Sequence, residues 1–211
     1  LIQLWHAITV KGYGILDTRL DEKQIKEYLA RETRHYDLIV ASSETDRYVV
    51  ALCNGVNVRK VVVTGLPRND SLCDSENRDS LLELETPLQS IVAQQKIILY
   101  APTFRDVGVT RFFPFADYDI QALVSFLENQ NAVMLLRPHQ NDFKNQEIIH
   151  SLVSVTSGCI LLAGNKQVPD VAALLPYVDV IVTDYSSIYI DLLLRDIPPI
   201  FIPYDLSLIH I

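Results

Sequence analysis

Val178-Asp-Val-Ile-Val-Thr-Asp-Tyr-Ser-Ser-Ile-Tyr-Ile-Asp191 reads as a buried strand running directly into a helix, with the changeover at Thr183, Asp184, Ser186 and Ser187. A short continuous apolar run marks a strand covered on both faces, and small hydroxyl or carboxylate side chains just after it are helix starters. Such a turn also leaves backbone N–H groups facing outward, so it can seat a phosphate as well as begin a helix. Outward from it, apolar runs of the same kind recur at Tyr36–Ala41, Lys60–Thr64, Lys96–Tyr100, Ala132–Leu136, Cys159–Leu162 and Pro199–Ile202. The stretches between them, 21–31, 44–54, 79–95, 116–129, 143–152, 169–176 and 186–195, carry helical spacing or helix-start residues. Repeated strand–helix units of this type predict an α/β fold with parallel sheets.

Composition sets outer bounds. With 211 residues, 49% hydrophobic and 21% charged, the chain has ordinary globular usage and enough length for a sizeable core. A net charge of −8 argues against a general nucleic-acid surface, which would be basic. No apolar run approaches the roughly 18 residues of a membrane helix, and no basic-then-apolar leader opens the chain. Cys53, Cys73 and Cys159 lack C-x-x-C spacing, so they support neither a disulfide framework nor a zinc site, and a reducing, cytoplasmic setting is expected. Seven glycines and no G-x-G-x-x-G or Walker loop mean that a pyrophosphate would be held by helix starts and long donors.

Ligands of parallel α/β sheets bind beyond the carboxyl ends of the strands. Arg105 after Pro102-Thr103, His139 after Leu136, and Asp184 through Ser187 after Val182 all fall there, and Arg137 opens the Arg137-Pro138-His139 segment. Each arginine can offer a planar pair of donors to phosphate oxygens, and the serine hydroxyls can add single bonds. Surface salt bridges and helix caps would account for the same residues.

Five segments recur in the order of a known family: Trp5-His6, Gly65-Leu-Pro-Arg-Asn-Asp70, Leu99-Tyr-Ala-Pro-Thr-Phe-Arg-Asp106, Arg137-Pro-His139 and Thr183-Asp-Tyr-Ser-Ser187. Together they resemble the CDP-glycerol glycerophosphotransferases of teichoic-acid synthesis, with patterns W-H-G, G-x-P-R-N-D, Y-A-P-T-x-R, R-x-H and T-D-Y-S-S. The chain departs from the commonest W-H-G-T-P-L-K form, reading Trp5-His-Ala-Ile-Thr-Val-Lys11.

The resemblance implies two Rossmann-like lobes of the glycosyltransferase-B type. Residues 1–68 would be the C-terminal part of an incomplete acceptor-side lobe, and residues 69–205 a C-terminally truncated nucleotide-donor lobe, with the polar passage Asn69–Asp79 at the boundary. It implies transfer of glycerol phosphate from CDP-glycerol to a hydroxyl of a lipid-linked polyol-phosphate or glycan acceptor, with CMP released, on the cytoplasmic face of the membrane in peripheral contact with it. His6 is the candidate general base, since a neutral imidazole accepts a proton near neutral pH. His139 suits donation to a phosphate oxygen or the leaving group. Arg105, Arg137, Thr183, Asp184, Ser186 and Ser187 would hold the donor pyrophosphate, with no metal and no cofactor besides the donor. His35 and His150 lie in no motif and read as structural. A sugar-nucleotide transferase of the same architecture, a CDP-ribitol-dependent transferase and a non-catalytic scaffold are the alternatives.

Both ends read as cut. Leu1-Ile-Gln-Leu-Trp5 looks like the middle of a strand in a domain already under way. Leu206-Ser-Leu-Ile-His-Ile211 back-translates to CTG TCT CTT ATA CAC ATC, a transposon end used to fragment DNA, and reads as a non-native tail, His210 included.

Overall fold

The computed structural model describes residues 1–4, 8–9, 12–73, 86–105, 110–139 and 146–205. These separate into two compact units, Leu1–Asp70 and Ser71–Asp205, each with its own sheet. Every strand pairing in both sheets is parallel.

In the first unit, β1 (Ile2–Gln3), β2 (Leu38–Ala41) and β3 (Val61–Val63) lie side by side in that order. Helices α1 (Glu22–Arg31) and α2 (Glu44–Asn54) form the crossovers. Both helices begin as their sequences dictate. Asp21 and Gln24 make a reciprocal capping box on α1, and the Ser43 hydroxyl accepts from the Asp46 N–H at the start of α2. Gly55 ends α2 in the left-handed conformation at φ +60°, where a side chain would be strained. Ile39, Ala41, Val50, Ala51 and Val61 close the core between sheet and α2.

The short helix α3 (Asp70–Cys73) leads to the second unit, where α4 (Thr86–Gln94), β4 (Lys96–Tyr100), α5 (Ile120–Asn129), β5 (Ala132–Leu136), α6 (Gln146–Val155), β6 (Ile160–Leu162), β7 (Val180–Thr183), α7 (Ile188–Leu192) and β8 (Pro199–Phe201) follow. Strand order is β6-β5-β4-β7-β8, so the chain winds outward on one side of β4 and then returns to wind outward on the other. Alternation along the strands fills both faces. Ile97, Leu99, Val133, Leu135 and Ile181 join Leu88, Leu174 and Leu192 on one side. Tyr100, Met134, Leu136, Ile160 and Val182 meet Leu127 of α5 and Ile149 of α6 on the other. This is why these strands read as unbroken apolar runs.

The expected strands Lys96–Tyr100 and Ala132–Leu136 carry those bounds, and the ends of the rest shift by at most two residues. The expected helix over 169–176 is instead two 3-10 turns, Val171–Ala173 and Leu175–Tyr177. Pro176 has no N–H for an α-helical ladder, and the Asp170 side chain accepts from the Ala172 N–H to start the first turn locally. No helix among the described residues is long and apolar enough to cross a membrane.

Candidate functional site

In a doubly wound sheet the loops diverge where the winding reverses, and the crevice opens at the carboxyl ends of the two strands flanking that point. Here those strands are β4 and β7, ending at Tyr100 and Thr183. The Thr183 hydroxyl donates 2.7 Å to the Ala101 carbonyl, fastening the end of β7 to the loop that leaves β4.

Asp184, one residue on, is buried and is the hub of this end of the sheet. Its Oδ1 accepts from the Thr103 N–H at 2.8 Å and from the Tyr185 N–H at 2.6 Å, and its Oδ2 accepts from Arg105 Nη2 at 2.7 Å. Burial pushes the Asp184 carboxyl up, but the bonds from Thr103, the Tyr185 N–H and Arg105 outweigh it and hold its pKa below the usual carboxylate value.

Arg105 is equally buried. Its Nε and Nη2 donate to the two carboxylate oxygens of Asp205 at 3.1 and 3.2 Å, its Nη1 donates to the Thr103 carbonyl, and the Tyr204 ring lies 4.9 Å from the guanidinium. Tyr185 Oη donates 2.7 Å to the Asp205 carbonyl, which closes the segment after β8 onto the turn after β7. Arg105, Thr183 and Asp184, expected to face a pyrophosphate, are thus turned into the fold. A charge this deeply buried must be paired, and two carboxylates pair this one.

Arg137 differs. It leaves β5 beside β4, and its Nη1 donates to the carbonyls of Ala163 and Val168. Among the described residues no carboxylate lies within salt-bridge reach of it. Desolvation pulls its pKa below the ordinary guanidinium value, opposed at longer range by Asp170. The guanidinium stays charged regardless. His139, two residues further, is exposed at the strand end, with its imidazole stacked on the Phe104 ring at 4.8 Å between centroids and 26° between planes.

Ser186 and Ser187 are half-buried just beyond Asp184. Ser187 occupies the N-cap of α7, but with φ −64° and ψ −12° it is already helical, and its hydroxyl makes no capping bond. Cap residues normally take extended angles so that their oxygen can reach the N2 or N3 N–H, and these angles prevent it. Among the described residues neither serine hydroxyl has a partner.

His6, with Trp5 and Ala7, lies outside the described residues, as do Asp106 and the tail 206–211. Asp205, Tyr204 and Tyr185 were not singled out in the sequence. Asp205 lies four residues past the end of β8, so the strand-end criterion that picked Arg105 would have found it. No group of three or more His, Cys, Asp or Glu among the described residues could hold a metal ion.

Residues 1–208 match the family model described as CDP-Glycerol:Poly(glycerophosphate) glycerophosphotransferase. The teichoic acid ribitol-phosphate polymerases TarL and TarK of Staphylococcus aureus (strain NCTC 8325 / PS 47) are 32% and 31% identical to the chain over 98% of it, and over 36% and 39% of their own lengths. The teichoic acid glycerol-phosphate transferase of the same strain is 27% identical over 98% of the chain and 52% of its own length. The chain therefore spans between about a third and a half of these curated relatives. The solved structure of the wall teichoic acid polymerase TagF superposes with a TM-score of 0.73 at 24% identity, covering 98% of this chain and 50% of that one, and shares the α/β fold with parallel sheets. With a family match running almost end to end, the chain belongs to the CDP-glycerol:poly(glycerophosphate) glycerophosphotransferases.

Proposed function

We propose that this chain is the catalytic part of a transferase that moves glycerol phosphate from CDP-glycerol to a hydroxyl of a lipid-linked acceptor in the synthesis of teichoic acid or a related wall or capsule polymer. The reading includes two Rossmann-like lobes of the glycosyltransferase-B type, 1–68 on the acceptor side and 69–205 on the donor side, working on the cytoplasmic face of the membrane in peripheral contact with it. The observation that carries it is Arg137, a half-buried guanidinium at the strand-end crevice with no carboxylate within salt-bridge reach among the described residues, two positions before an exposed imidazole. A cation with no salt-bridge partner among the described residues suits a dianionic pyrophosphate, and the hydroxyls of Ser186 and Ser187 are further donors.

In the proposed reaction His6 takes the proton from the acceptor hydroxyl, whose oxygen attacks the β-phosphorus. The bond from that phosphorus to the bridging oxygen breaks, and CMP leaves with the electron pair. Arg137, His139, Ser186 and Ser187 stabilise the charge that develops on the phosphoryl and leaving oxygens. Arg105, Thr183 and Asp184 hold the turn that presents the serines. No metal or cofactor enters the scheme.

A ribitol donor is the second reading, favoured by one observation: TarL and TarK, at 32% and 31% identity, are ribitol-phosphate polymerases, whereas the glycerol-phosphate transferase is 27% identical. Labelled CDP-glycerol and CDP-ribitol offered in parallel to the full-length protein with a lipid-linked acceptor decide between them by which label enters polymer. Transfer of sugar from a sugar nucleotide, with neither polyol phosphate transferred, would overturn both. The base assignment is tested separately by His6→Ala, expected to lower kcat by roughly 10²–10⁴-fold with donor affinity near normal.

A further inference from the structure

Phe104 fills the open position of the Y-A-P-T-x-R segment, between two residues that the fold holds fast. The Thr103 N–H is bonded to Asp184, and the Arg105 guanidinium is bonded to Asp184 and Asp205. The backbone on either side of Phe104 is therefore anchored, and its ring is not part of either apolar cluster among the described residues of the second unit. It lies instead against His139, 4.8 Å between centroids and 26° from parallel. The two rings come from neighbouring strands, four residues past Tyr100 of β4 and three past Leu136 of β5, which are paired with each other.

We propose that Phe104 is a positioning residue: an anchored aromatic platform that fixes the plane of the His139 imidazole at the donor site. A half-buried aromatic ring held at a strand end and packed on an exposed histidine is poorly explained by core packing, because it adds little to the core. Stacking covers the face of an imidazole and leaves its edge, where both nitrogens lie, directed within a defined plane. The stack restricts the χ1 and χ2 wells open to the imidazole. Holding the donor group in the productive geometry lowers the barrier, and misorientation is felt in turnover. Phe104 matters in this way only if His139 acts at the donor, as proposed above.

Aromatic pairs of this geometry are worth about 2- to 12-fold in an equilibrium or rate. In the full-length protein, Phe104→Leu should lower kcat by roughly that factor, with a smaller effect on KM, while Phe104→Tyr restores it, since any aromatic face serves as platform. In a His139→Ala background, Phe104→Leu should have no further effect. Independently of activity, the His139 ring protons should resonate upfield in NMR spectra of the wild type and of Phe104→Tyr, and move downfield in Phe104→Leu. Equal losses from Phe104→Leu in both backgrounds, or unchanged His139 shifts in Phe104→Leu, would overturn the platform role while leaving the His139 reading intact. Unchanged kinetics in His139→Ala would remove the His139 reading and the platform role together.

Discussion

Arg105 and Arg137 follow neighbouring strands and offer the same chemistry, yet the fold puts them to opposite uses. Arg105 is neutralised by Asp184 and Asp205, with side-chain exposure of 2% for Arg105 and Asp184. Among the described residues Arg137 donates to backbone carbonyls, those of Ala163 and Val168. Arg105→Leu should therefore act on stability, costing about 3–5 kcal/mol by leaving Asp184 buried without its cation. Arg137→Ala should lower the melting temperature less than Arg105→Leu does, because it strands two backbone carbonyls rather than a buried charge, and should weaken donor binding on the order of 10- to 100-fold, the loss of charge-assisted bonds to phosphate. Thermal melts and CDP-glycerol calorimetry on the two variants separate these outcomes, and the reverse pattern would exchange the two roles. Asp184 adds a pH dependence. Its pKa is held below the usual carboxylate value, so its stabilisation is fully present above the unfolded value of about 3.9 and is lost as pH falls from there through the lower folded value. The stability gap between wild type and Asp184→Asn, measured by denaturant titration, should accordingly be wide at neutral pH and narrow below about pH 4.

At the scale of elements, turns differ in how much their surroundings constrain them. Gly14 and Gly65 both have positive φ, +57° and +77°. A Cβ added at Gly14 would stand 2.2 Å from the Cys53 carbonyl oxygen and 2.7 Å from the Tyr28 ring, whereas one at Gly65 would meet nothing within 4 Å. The clash at Gly14 falls on backbone at the end of α2, where Asn54 donates to Tyr13 Oη at 2.7 Å and accepts from Tyr28 Oη at 3.0 Å. Burial lifts the Tyr28 hydroxyl to about 12, so it remains a donor at any ordinary pH. Gly65→Ala should cost about 1 kcal/mol, backbone strain alone, and Gly14→Ala distinctly more, because the Tyr13–Asn54–Tyr28 bonds must shift with it. Equal chemical-denaturation midpoints for the two variants would refute the difference.

For the molecule as a whole, each unit carries its own sheet and its own buried cluster. In the larger sheet β4 is central, and β5 and β7 flank it. Hydrogen exchange should be slowest at Ile97, Leu99, Leu135 and Ile181, which are fully buried, and faster along the edge strand β8, where Ile200 and Phe201 stay about half exposed. Protection in β8 matching that in β4 would contradict this order.

Much of this was determined by the sequence alone. Continuous apolar runs mark strands covered on both faces, and the bounds of β4 and β5 followed from them because helices cover both sides. Helical spacing and helix-start residues marked helices over 21–31 and 44–54, and Asp21, Ser43 and Gly55 cap them in the structure, since capping is local chemistry between residues a few positions apart. Five ordered motifs were enough to indicate the family. What only the tertiary structure decided was which of the strand-end side chains face outward. Arg105 reaches Asp184 across 79 positions and Asp205 across 100. No local pattern records such partners, because the order of strands in the sheet brings them together. The same holds for Phe104 against His139 and for the hydroxyl of Ser187, which would read as a cap until backbone angles set by the tight β7–α7 turn direct it elsewhere. Periodicity and capping depend on neighbours along the chain, whereas the pairing of a buried charge depends on neighbours in space, and that distinction separates what could be read from what had to be seen.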